Sequence, residues 1–121
     1  MPRNRFSAAE ARRIAIRAQG LDRPGPSRND TRHITRVIER LGLLQLDFVN
    51  VLLPAHKLVV YSRIGPYALA DFDRAVYGRG RFTEHWAHEA SIVPVHAWPL
   101  LRYRRERYRA SPGSPLSSIP N

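Results

Sequence analysis

A chain of 121 residues has the length of one domain and can bury a modest core. It contains no cysteine, which excludes a disulfide scaffold, a thiolate metal site and a cysteine nucleophile. Its 20 basic against 10 acidic residues give a net charge of +10, and every basic residue except Lys57 is arginine. Arginine grips phosphate bidentately and stacks on bases, so the excess points to a polyanion bound in a salt-dependent way. A coding bias explains arginine over lysine but not base over acid. The N-terminal Met1-Pro2-Arg3-Asn4-Arg5-Phe6 lacks the apolar stretch of a secretory signal, and no apolar run approaches the ~20 residues that span a bilayer. The expectation is a cytoplasmic, nucleoid-associated protein with no membrane partner.

In chain order, Ser7-Ala8-Ala9-Glu10 is a capping box that opens a helix, with Ile14, Ala15, Ala18 and Leu21 as its apolar stripe and Gly20 as its stop. Asp22 to Asn29, with Pro24, Gly25 and Pro26, is a loop. Asp30 or Thr31 caps a second helix that turns Ile34, Val37, Ile38 and Leu41 inward and ends at Gly42. These two helices are compatible with a helix-turn-helix core. Leu43 to Val49 is expected to be a strand. Pro54 interrupts any long helix after it, and His56 to Tyr61 fits either a helix or a strand. Gly65-Pro66 starts a helix with Leu69, Phe72 and Val76, and also Tyr77, on one face, closed by Gly78-Arg79-Gly80. Arg81 to Val93 reads as one or two strands forming a wing. Pro94 opens a last helix with Trp98, Leu101 and the Arg105 stem along one side. Ala110 to Asn121 is rich in Ser and Pro and reads as a disordered tail. The fold class is mainly α with a small β component, with one domain over residues 1–110 and a tail over 111–121.

The chemistry concentrates at Gln45-Leu46-Asp47. In an extended segment alternate residues share a face, so Gln45 and Asp47 project together while Leu44, Leu46 and Phe48 enter the core. A carboxylate and an amide in one wall can hold a water, and an ionised Asp can stabilise a developing cation. The same residue types also fit a plainer role, with Asp47 capping a short helix that starts near Phe48.

Other groups are less specific. His85, His88 and Glu89 have the spacing His-x-x-His-Glu, which is not that of zinc proteases, and no metal site is expected. Arg102, Arg104, Arg105, Arg107 and Arg109 alternate with Tyr103 and Tyr108. They suit phosphate contact and base stacking, or equally a solvated helix end. His56 and Arg63 are candidate DNA contacts; a packed histidine and an exposed arginine are the alternatives.

The segment from Leu41 to Arg102 resembles the winged-helix DNA glycosylases of the AlkZ and YcaQ type. Their hallmark, Gln-apolar-Asp or Gln-apolar-Gln, is matched by Gln45-Leu46-Asp47. The likeness continues through Val49-Asn50-Val51, Ala55-His56, Ser62 to Tyr67, Glu84 to Ser91 and Trp98 to Arg102. The resemblance implies a winged helix-turn-helix-like domain, the first of several in longer proteins. It implies hydrolysis of the N-glycosidic bond of an N7-alkylguanine or unhooking of an interstrand crosslink. Asp47 would be general base and nearby negative charge, and Gln45 would orient the water. The implied partner is duplex DNA, alkylated or crosslinked, with no metal or organic cofactor; His56, Arg63, Arg102 and Arg105 remain its candidate contacts from residue type. Ser111 to Asn121 do not look like the family's continuation, so a truncated product is expected, without most of the surrounding DNA clamp. The competing reading is a non-enzymatic winged-helix DNA-binding module such as a transcriptional regulator. An inert remnant is a third.

Overall fold

The computed structural model describes residues 5–50, 52–87 and 89–110. The tail expected over 111–121 lies outside these residues, as do Val51 and His88. The described residues form five helices and a three-stranded antiparallel sheet: α1 (Ala8–Ala18), α2 (Thr31–Leu41), β1 (Leu44–Gln45), α3 (Ala55–Ile64), α4 (Leu69–Tyr77), β2 (Phe82–Trp86), β3 (Ala90–Pro94) and α5 (Arg102–Arg109). A 3-10 helix, Val95–Leu101, precedes α5. The strand order is β1-β3-β2. Together these elements form a small winged-helix-like α+β domain.

Helix α2 has the clearest local cause. The Asp30 carboxylate accepts from the amides of Arg32 and His33, and Gly42 at φ 79° ends the helix in the left-handed region that favours glycine. Arg32 also binds this carboxylate at 2.8 Å and holds its pKa well below the usual range. The inward face of α2, Ile34, Val37 and Ile38, meets Val60 and Ile64 of α3 and Phe72, Ala75 and Val76 of α4. Leu44, Phe82 and Ile92 close this core from one face of the sheet.

Four expectations are corrected. The strand expected over Leu43–Val49 is only Leu44–Gln45, because Leu46 donates the last sheet bond, to the Ala90 carbonyl, and the chain then turns away. Phe48 therefore lies outside the core and is 71% exposed. The apolar stripe of α1 is not buried either: the capping box forms as expected, but no residue of the helix is buried. Third, α1 and α2 are not a tight helix pair: a long connection from Gln19 to Asp30 separates them, and α2 packs instead on α3 and α4. Finally, α4 begins at Leu69 rather than at Pro66. The Tyr67 ring stacks on Phe72 and its hydroxyl donates to the Lys57 carbonyl, which draws residues 65–68 across α3 before the helix can start.

The wing is a short hairpin in which Thr83 faces Val93 and His85 faces Ser91. Pro99 lies inside the 3-10 helix and lacks an amide donor, so the last helical segment is divided there from α5.

Candidate nucleic-acid site

Gln45 and Asp47 line one open groove of about 370 Å³, with His56, Val59 and Arg63 of α3, Leu41 and Leu43 at the end of α2, and Gln19 just past α1. Each position has a local cause. Leu44 is buried, so its neighbour Gln45 projects outward and is exposed. After the final sheet bond, the Asp47 carboxylate accepts from the Val49 amide at 2.9 Å, an Asx turn that reverses the chain. Asp47 thus caps a turn; the helix proposed to start near Phe48 does not form, and α3 starts at Ala55. No other partner of the Asp47 carboxylate is found among the described residues.

His56 sits in the first turn of α3 and is 4% exposed. Its Nδ1 donates to the Asp47 carbonyl at 2.9 Å, since a carbonyl can only accept. That bond fixes the tautomer with Nε2 as the ring acceptor. The imidazole lies between Phe48, edge-on at 5.6 Å, and Phe72 at 5.7 Å. His56, expected as a DNA contact, is therefore a packed residue that holds the backbone of the motif.

Arg63 is likewise engaged internally. Its guanidinium donates to the carbonyls of Gln19 and Val59 and to the Gln19 amide oxygen at 3.1 Å. Partial burial, and then the nearby Arg40 charge, lower its pKa. Arg40 donates to the Arg17 and Ala18 carbonyls, so two guanidinium groups clasp the end of α1. Gln19 was not anticipated as a groove residue. It is distant in sequence from the motif and reaches it only through this clasp.

Arg102 and Arg105 lie elsewhere, in a wide open depression lined by Trp98, Arg102, Arg105, Glu106, Arg109 and Ala110. The Arg105 guanidinium lies 4.3 Å over the Trp98 ring and donates to the Trp98 carbonyl at 2.6 Å. On its other side Trp98 meets His85 edge-on at 4.9 Å. Arg102 pairs with Glu106 at 2.6 Å, which raises the arginine pKa. The His85 Nδ1 is buried without a partner. Among the described residues no group of three metal-ligating side chains comes together, and His88 lies outside them. No helix among them is long and apolar enough to cross a membrane.

The domain, then, joins a carboxylate-amide groove to a cation-aromatic surface on a strongly basic chain. Residues 38–118 match the family model for AlkZ-like DNA glycosylases, and the chain belongs to that family. Membership gives it a DNA-glycosylase-related role with DNA as partner. The match takes in the groove motif and α5, leaves α1 outside, and extends through most of the segment that had looked unlike the family's continuation. No solved structure matches the chain.

Proposed function

We propose that the groove hydrolyses the N-glycosidic bond of an N7-alkylated guanine, either as a single lesion or as one arm of an interstrand crosslink. Alkylation makes the base a cationic leaving group, so the C1′–N9 bond breaks with its electron pair passing to the base and neutralising it. The sugar left behind has oxocarbenium character. Asp47 stabilises that charge and takes the proton of the water whose oxygen bonds to C1′. Gln45 hydrogen-bonds the water. Arg102 and Arg105, on their separate surface, hold phosphates or stack on bases of the same DNA.

The observation that carries this reading is the meeting of Gln45 and Asp47 in one groove on a chain of this family. One carboxylate oxygen serves the turn, which holds the side chain in place. Single-turnover release of base from N7-alkylguanine DNA tests it. Asp47→Asn is expected to slow release by about 10²–10⁴-fold while DNA binding stays equal or tightens slightly, because a negative charge near phosphate is lost. An Asp47→Asn protein as fast as its parent removes the assignment. The second reading, a binding module without catalysis, draws on the same turn: a carboxylate already serving the backbone is complete without a substrate. It predicts DNA binding with no base release from the parent.

A further inference from the structure

The residues after Asp47 carry large apolar side chains into solvent. Phe48 is 71% exposed, Val49 69% and Leu52 84%. They are not frayed chain. The Ala55 amide donates to the Val49 carbonyl at 3.1 Å, and Asn50 and Pro54 form a bridge, so the loop is closed at its base. The Asp47 carboxylate binds the Val49 amide from one side. Beneath Phe48, His56 rests on the buried Phe72. A firm base under an exposed apolar tip is the form of a side-chain wedge rather than of a core residue left over.

The charge of the whole chain and its family indicate the loop's occupant. The chain carries a net charge of +10 and belongs to a DNA glycosylase family. DNA offers charge complementarity to the protein and, between its bases, an apolar interior that matches the tip. The sugar carbon to be attacked is enclosed within the duplex, and Asp47 lies at the root of the loop. We propose that Phe48 and Leu52 enter the base stack as a wedge, opening the step beside the nucleotide presented to Asp47. This rests on the function proposed above, with DNA as the partner and Asp47 as the carboxylate facing the sugar. Phe48 and Leu52 act as positioning residues, and the two bonds from Asp47 to the loop and to α3 couple the depth of the wedge to the carboxylate.

The test uses the full chain and a duplex carrying the fluorescent base 2-aminopurine beside an N7-methylguanine, whose emission rises on unstacking. Anisotropy of an end label reports binding in the same samples. Binding is expected to raise the 2-aminopurine emission several-fold. Phe48→Ala and Leu52→Ala should each remove at least half of that rise while retaining binding. Leu100→Ala, an equally exposed leucine on the 3-10 helix, should leave the rise intact. Because both wedge side chains are exposed, their variants keep the fold, which circular dichroism checks. An equal rise in parent and wedge variants overturns the proposal, as does parent binding without a rise. A dimer in solution that Phe48→Ala dissolves also overturns it, since a second copy then covers the tip. Absence of anisotropy change in the parent instead overturns the DNA-binding reading itself.

Discussion

Replacing His56 by phenylalanine isolates the one bond that fixes the backbone of the motif. The ring remains between Phe48 and Phe72, but the Asp47 carbonyl loses its donor. A typical internal hydrogen bond contributes about 0.5–1.5 kcal/mol, and orphaning a buried acceptor costs about 1–3 kcal/mol. This bond is only partly buried, which places the expected loss at about 1–2 kcal/mol. With a urea dependence of about 1–3 kcal/mol per molar for a small domain, the unfolding midpoint should fall by roughly 0.3–2 M. His56→Ala should fall further, because it also removes packing between the two phenylalanines. Urea titration followed by tryptophan fluorescence measures both. A His56→Phe midpoint equal to that of the parent would refute the view that this bond holds the motif.

Gly25→Ala should destabilise by about 1–3 kcal/mol, since a Cβ there would stand 2.5 Å from the Ile64 carbonyl oxygen and the obstacle is backbone; an unchanged melting temperature would show that the loop does not pack on α3. Tyr67 and Tyr77 are both pushed up to about 12, chiefly by burial, aided at Tyr67 by the Asp73 charge and at Tyr77 by its bond to Glu84. A phenol whose folded pKa exceeds its unfolded value of 10.0 stabilises the fold fully below that pH and loses the contribution as pH rises toward 12. Unfolding midpoints should accordingly drop across that window, and less so in Tyr77→Phe. Arg105→Ala should weaken DNA binding and lower the slope of log affinity against log salt by about 1; an unchanged slope would separate the Trp98 surface from phosphate contact.

The elements with a strong local cause were legible from the residues alone. The Ser7-Glu10 box, the Asp30 cap with its period of apolar residues to Leu41, and the hairpin between Phe82 and Pro94 all form. Legibility failed where a non-local bond outweighs local pattern. Alternation placed Phe48 in the core, but a sheet only two residues long at its edge releases the chain at Leu46, and the Asp47 turn points it outward. The period of α1 was real, yet nothing in it says whether another element lies opposite. Among the described residues none buries that stripe. His56 and Arg63 were candidate DNA contacts from residue type; that both line the groove of the motif and engage backbone carbonyls could not be read from it. Gln19 left no signal, because its place in the groove depends on two arginines far along the chain.

The clasped end of α1 makes the groove a site whose walls differ in persistence. Gln45 rises from the sheet, and Asp47 from the turn after it, which His56 ties to α3 and so to the central core. Gln19, at the end of a helix with no buried residue, is tethered to α3 by guanidinium bonds from Arg63. Segments with few buried contacts open at low free energy without global unfolding. Local opening of α1 would remove the Gln19 wall alone, and a ligand that needs Gln19 would then bind with an apparent affinity reduced by the fraction of molecules in which α1 is docked. Anything that presses α1 onto Arg40 and Arg63 tightens the site without touching it.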